Sequence, residues 1–273
     1  MIFRYPGGKS KKSVREKIFK RFPKEYSEYR ETMVGGGGIF FNVPDCKKRW
    51  INDVDSNLMS VYTALKNNPE DFIKKCKEIS PDEDLKVKFY QIIDDNSIDD
   101  ALKYFFINRT VWAGRVNYEI RSRLYFSNPQ GWKIINTNKL DKAAKLLSCV
   151  KISNLNYKEL LSEPGEDVLI YVDPPYYLNT KLNKNSRLYR YNFEIEDHKE
   201  LCEEIKKCQH KIILSYDDHS FIRKLYKGFN FGRGLGSSHS RSEKWKYCGT
   251  SSAQSQNQNK IKRTGKELII SNF

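Results

Sequence analysis

The chain has 273 residues, 38% of them hydrophobic and 13% aromatic, which is enough to bury a core and excludes a disordered tract. Against 34 Asp and Glu stand 49 Lys and Arg, a formal charge of +15 that suits a polyanionic partner. No apolar run reaches the ~18 residues of a membrane span, no signal-peptide run opens the chain, and six cysteines without a C-x-x-C pair argue against a zinc site.

The first 24 residues carry nine Lys and Arg against one acid, Glu16. They open on a Pro6-Gly7-Gly8 turn and continue as a basic helix. Gly7-Gly8-Lys9-Ser10 has the end of a phosphate-binding loop, but Phe3 stands where its first glycine belongs. A strand ending Glu31-Thr32-Met33-Val34 precedes the glycine run Gly35 to Gly38, and a second strand, Arg49 to Asn52, ends in Asp53. From 56 to 108 apolar residues recur at helical spacing (Leu58, Val61, Tyr62, Leu65; then Phe72, Cys76, Ile79), with Asp82 and Asp99 at cap positions. Asn108 to Trp132 is rich in Arg, Asn, Tyr and Trp and has no helical period. A helix over about 139–148 follows.

The pattern then changes. Val168 to Val172 is a continuous apolar run, the mark of a buried parallel strand. A helix over 194–208, a strand over 211–215, a helix over 218–227 and a last strand, Leu268 to Ile270, complete the chain, with a polar loop at 250–260. Strands and helices alternate at both ends around a helical, basic middle. The expected architecture is α/β, one doubly wound sheet assembled from residues 1–55 and 148–273, with 56–147 inserted as a separate lobe.

Asp173-Pro174-Pro175-Tyr176 directly follows the buried strand, where open α/β sheets bind ligands. An adenine N6 amine is a poor nucleophile, because its lone pair is delocalised into the ring. A carboxylate (Asp173) and a stiffly held carbonyl (Pro174) accepting its two N–H bonds would draw that pair out of conjugation. Tyr176 offers a flat face to a flipped base. Asp-Pro-Pro also occurs in ordinary turns, and the preceding apolar strand weighs against that reading. Gly35 and Gly37 would let the backbone approach a nucleotide-like ligand, with Asp53 spaced to accept ribose hydroxyls. Arg109, Arg115, Asn117, Arg121 and Arg123, interleaved with Trp112, Tyr118, Tyr125 and Trp132, suit contact with base edges, although each alone is commoner as a surface charge or core ring. From 223 to 273 there are 11 Lys and Arg and two acids, a further phosphate track.

The order of these motifs resembles the Dam-like family of adenine-specific DNA methyltransferases over essentially the whole chain. Arg4-Tyr5-Pro6-Gly7-Gly8-Lys9 is similar to the family's N-terminal block, Glu31 to Gly37 to its cofactor loop, Asn52-Asp53 to its ribose-binding acid, and Asp173 to Tyr176 to its catalytic tetrad. The resemblance implies a Rossmann-like sheet and S-adenosyl-L-methionine held by Tyr5, Lys9, Gly35, Gly37, Asp53 and Asp173. It also implies a flipped adenine held by Asp173, Pro174 and Tyr176, and a target-recognition insertion beginning near Asn108. Thr32-Met33 stands where the family has Pro-Phe, and Arg123 to Asn128 departs from the pattern of GATC enzymes. The expected protein is a monomer of the cytoplasm, encoded by a prokaryote or phage. It would act on double-stranded DNA without a metal, with any cognate restriction endonuclease a separate protein. RNA or protein is the alternative acceptor; a nicotinamide oxidoreductase would want a glycine near Phe40, and a DNA-binding protein without catalysis leaves the tetrad unexplained.

Overall fold

A computed structural model describes residues 2–116, 126–127, 129–133, 135, 137–181, 189–231, 243–246 and 264–273. In chain order the elements are α1 (Lys12–Phe19), β1 (Glu28–Glu31), β2 (Lys48–Asn52), α2 (Ser56–Asn67), α3 (Pro69–Glu78), α4 (Leu85–Asp94), α5 (Asp100–Thr110), α6 (Gln130–Lys133), α7 (Thr137–Leu147) and β3 (Val150–Ser153). There follow α8 (Tyr157–Ser162), β4 (Val168–Val172), α9 (Tyr177–Thr180), α10 (Ile195–Lys207), β5 (Lys211–Asp217), α11 (Ser220–Leu225), β6 (Asn230–Phe231), β7 (Glu243–Lys246) and β8 (Thr264–Ser271). No helix among the described residues is long and apolar enough to cross a membrane.

The strands form one mixed sheet in the order β3-β2-β1-β4-β5-β8-β6, with β7 also paired to β8. The first five in that order are parallel; β8 runs antiparallel beside β5. The chain departs from β1 toward β2 and β3, then returns to the other side of β1 for β4 and β5. The crevice at this reversal is where such sheets take ligands.

The alternation of β4 divides the core. Leu169 and Tyr171 join a cluster with Ile51, Leu58, Phe105 and Leu147, while Val168, Ile170 and Val172 join Leu201, Ile205 and Ile222 on the opposite face. Both faces of the strand are therefore covered, which is why it reads as an unbroken apolar run. Helices α2 to α7 lie between β2 and β3 in the chain, and their apolar faces share the first cluster with the sheet.

Several local expectations meet a different outcome. Asp84, not Asp82, caps α4 by accepting from the Lys86 and Val87 amides, because the helix starts at Leu85. Asp99 caps α5 as expected. The strand expected to end at Val34 ends at Glu31, and β3, α8, β6 and β7 had no clear signal.

Strand β1, with the sequence Glu-Tyr-Arg-Glu, is central although three of its four residues are polar. Arg30 is 1% exposed. Its Nε donates to Glu28 Oε1 (2.6 Å), Nη1 to the Leu160 and Glu163 carbonyls and Nη2 to the Pro164 carbonyl. This guanidinium ties β1 to the end of α8, and each of its three nitrogens has an acceptor. We expect Arg30→Met to lose roughly 3–5 kcal/mol in urea unfolding, because Glu28 and the carbonyls are left buried without donors. A loss below about 1 kcal/mol would show that water satisfies them.

Candidate functional site

The carboxyl edge of the parallel sheet is acidic. Glu31 ends β1, Asp53 follows β2, Asp173 follows β4 and Asp217 ends β5. The cavity at this edge, of about 450 Å³, also meets Glu267 of β8. Its walls carry eight carboxyl side chains and two cationic ones, Lys9 and Arg190. In a chain of charge +15 this is a local inversion of sign.

Lys9 is the cation at the centre of this edge. It is buried, and its Nζ donates to both oxygens of Asp173, at 3.0 and 2.9 Å, and to the Gly7 carbonyl at 3.3 Å. Glu267 Oε1 lies 3.8 Å away, and the Tyr176 ring centroid 4.9 Å away. Burial pushes the Asp173 carboxyl up from its ordinary value, and Lys9 pulls it back toward ionisation. Burial likewise raises Glu267 and Glu31; the Tyr29 hydroxyl, which donates to Glu31 at 2.6 Å, opposes the latter shift.

The N-terminal segment that carries Tyr5 and Lys9 is held by α5. Asn108 is fully buried; its Oδ1 accepts from the Arg4 amide and its Nδ2 donates to the Arg4 and Gly114 carbonyls. Arg109 donates from Nε to the Gly131 carbonyl (2.8 Å) and from Nη1 to the Ile2 carbonyl (3.4 Å), and burial lowers it to about 10. Arg109, half-buried, is thus a tie between α5, α6 and the N-terminus. Trp132 is also in the core, its Nε1 donating to the Ile79 carbonyl and its ring packed on Phe105 and Phe106. Arg115 stacks over Trp112 at 4.3 Å. Asn117, Arg121, Arg123, Tyr118 and Tyr125 lie outside the described residues.

The glycine loop is fixed by side chains from three directions. Asp53 Oδ2 accepts from the Gly35 amide (2.9 Å), and the Tyr62 hydroxyl donates to the Gly35 carbonyl (2.9 Å). Gly35 and Gly37 have φ of 47° and 68°, the left-handed region. A Cβ on Gly35 would fall 2.8 Å from the Tyr5 ring, so the absence of a side chain is what lets Tyr5 close over the loop. Tyr5 in turn meets Tyr189 at 5.9 Å. Asp53 is buried on the cavity wall: burial raises it to about 6, against hydrogen bonds from the Asp55 and Gly35 amides.

Asp173, Pro174, Tyr176, Tyr5, Lys9, Gly35 and Asp53 all line the one cavity; Gly37 lies just behind it, against Phe41 and Tyr62. Sequence reasoning missed Tyr62, Tyr189, Asp217 and Glu267. Asp217 accepts from the Tyr177 and Leu178 amides (2.9 and 3.0 Å) and so orients the turn after Tyr176. His198, fully buried, pairs through Nε2 with Thr180 Oγ1 (2.8 Å) and through Nδ1 with the Tyr216 hydroxyl; burial lowers it to about 4. It anchors α9 from behind as a neutral ring.

A family model described as D12 class N6 adenine-specific DNA methyltransferase matches residues 5–234. The Type II methyltransferase M.MjaIII of Methanocaldococcus jannaschii is 28% identical over 257 residues, covering 84% of this chain and 88% of that protein. A DNA adenine methylase of Vibrio cholerae is 28% identical over 242 residues, 83% of this chain and 84% of the relative. The DNA N-6-adenine-methyltransferase of Escherichia phage P1 is 23% identical over 244 residues, 84% of this chain but 31% of the phage protein.

The loop geometry yields a direct test. Gly35→Ala should cost roughly 1–2 kcal/mol in urea unfolding from backbone strain at positive φ, with a further loss as Tyr5 is displaced. Unchanged stability would mean that the loop tolerates a side chain at this turn.

Proposed function

The chain belongs to the D12 class of N6 adenine-specific DNA methyltransferases, and on that premise we propose that S-adenosyl-L-methionine and the target adenine meet in the cavity between the glycine loop and Asp173. The observation that carries this reading is the Lys9–Asp173 pair at the end of β4, where Asp173, Pro174 and Tyr176 line one cavity.

The residues fit the methyl donor. Eight carboxyl groups against two cations suit a ligand bearing a sulfonium and an ammonium charge. Thr32 Oγ1, on the cavity wall, is buried with no hydrogen-bond partner among the described residues. Tyr5, Lys9, Gly35, Gly37, Asp53 and Asp173 would hold the donor, with Asp53 directed to the ribose hydroxyls. When bound, S-adenosyl-L-methionine supplies an electrophilic methyl group. The chain's own residues prepare the acceptor. Asp173 and the Pro174 carbonyl accept the two N–H bonds of the adenine amine, which directs its lone pair outward. Tyr176 stacks on a base turned out of the duplex. The acidic cavity repels phosphate, so the backbone stays on the basic exterior while an uncharged base enters.

The acceptor is adenine in double-stranded DNA at a specific site, as the family and its relatives carry, rather than RNA or protein. The segment 56–147 would choose that site, with Arg115 and the stretch containing Asn117, Arg121 and Arg123 nearest the bases. The protein would work as a monomer in the cytoplasm of a prokaryote, or of a cell infected by a phage encoding it. A cognate restriction endonuclease, where one accompanies it, would be a separate chain.

Asp173→Ala should abolish transfer of labelled methyl groups to duplex DNA; near-normal transfer would remove Asp173 from the reacting centre. A second test is pH. An ionised Asp53 accepts from both ribose hydroxyls, a protonated one is the poorer acceptor, and its value is raised to about 6. Falling pH protonates it, so donor affinity in calorimetry should drop by up to about tenfold per pH unit below about 6. Asp53→Asn should weaken binding and lessen that dependence. A pH-independent affinity in the unsubstituted protein would contradict the role.

A further inference from the structure

We propose that Glu267 is a positioning residue that shares Lys9 with Asp173, so that the lysine can yield one Asp173 oxygen to the adenine amine. This rests on the reading of Asp173 given above.

An ammonium has three N–H donors. Those of Lys9 have three acceptors within reach: both oxygens of Asp173, at 3.0 and 2.9 Å, and the Gly7 carbonyl at 3.3 Å. An adenine amine needs one of the Asp173 oxygens. An oxygen that also accepts from the amine holds the lysine less tightly, and Lys9 is buried, so a weakened or orphaned N–H is costly. Glu267 Oε1 waits 3.8 Å from Nζ, just beyond hydrogen-bonding range. A shift of roughly 1 Å would make it a normal partner. Lys9 can therefore move from a two-pronged grip on Asp173 to a grip shared between Asp173 and Glu267, with no donor left open.

The placement of Glu267 supports this use. It comes from β8, paired opposite Asp217 of β5, and so reaches the edge where the parallel strands end. It is 8% exposed and lines the same cavity. Asp173 alone would balance the charge of Lys9. A second buried carboxylate beside the pair is expensive to desolvate; Lys9 and the Tyr176 hydroxyl are the groups that offset its charge, which couples it to both. The Tyr176 ring, 4.9 Å from Nζ, lies in the same group, so a displaced lysine stays beside the face offered to the base.

The test uses the full chain and duplexes carrying its recognition sequence, with either adenine or unsubstituted purine at the target position. Purine lacks the N6 amine, so the ratio of the two affinities, read by fluorescence anisotropy, reports amine capture. The unsubstituted protein should prefer adenine. Glu267→Leu, which removes the acceptor, should lose that preference and lower kcat on the order of tenfold, with KM for the donor little changed. Glu267→Asp should be intermediate, and it carries the test should the Leu variant not fold: full preference in the Asp variant would then overturn the inference. In a Lys9→Met background, Glu267→Leu should have no further effect on the ratio, since Glu267 acts through Lys9. Full preference in Glu267→Leu, or an undiminished effect in the Lys9→Met background, would also overturn it. Asp173→Ala separates the two claims. If it keeps the adenine preference, the reading of Asp173 fails; if it loses the preference while Glu267→Leu keeps it, only the role of Glu267 fails.

Discussion

One buried ion pair organises the molecule. Lys9 grips both oxygens of Asp173 across 164 residues of sequence, joining the N-terminal segment to the end of the strand formed by Val168 to Val172. Everything around the pair serves to hold its two ends. Asn108 and Arg109 fasten the N-terminal segment through its backbone. The strand behind Asp173 is buried on both faces. Asp217 fixes the turn after Tyr176 through two amides, and the neutral His198 fixes the short helix beyond it. A site that must orient one amine to within fractions of an ångström needs supports of this kind, since small displacements are costly in rate.

Charge is partitioned by position. The chain as a whole is strongly basic, yet the cavity is lined mainly by carboxyl groups. The two signs divide the work on a nucleic acid: the exterior attracts the backbone, and the interior accepts a neutral base together with a cationic donor. The sheet produces the acidic edge simply, because its parallel strands end together and four of them deliver an acid there: Glu31, Asp53, Asp173 and Asp217. Lys9 is placed where the carboxylates are densest, and that placement is what makes so many of them tolerable in one space.

The sequence made the architecture legible wherever a pattern was local. The apolar run Val168 to Val172, the acid at its end and the glycine loop needed only neighbours in the chain. What stayed hidden depends on distant partners. Strand Glu28–Glu31 looks too polar for the middle of a sheet, and is there because carbonyls about 130 residues away satisfy Arg30. Glu267 and Asp217 meet only through antiparallel pairing at the end of the chain. Nor is it visible in sequence that Arg109 is bonded to carbonyls 22 and 107 positions away, or that the Trp132 indole is directed to the Ile79 carbonyl. The family's motifs brought Tyr5, Lys9 and Asp53 to notice; nothing local singled out Tyr62, which holds the glycine loop from behind, or Tyr189, which lines the cavity.

The central claim is that this site methylates adenine within a defined DNA sequence. Its most direct test is long-read sequencing, with modified-base detection, of DNA from cells that express the protein and otherwise lack adenine methylation. The account predicts N6-methyladenine confined to one short motif, at nearly every copy of it. Unmodified adenine throughout, from protein shown to be folded and to bind S-adenosyl-L-methionine, would contradict it.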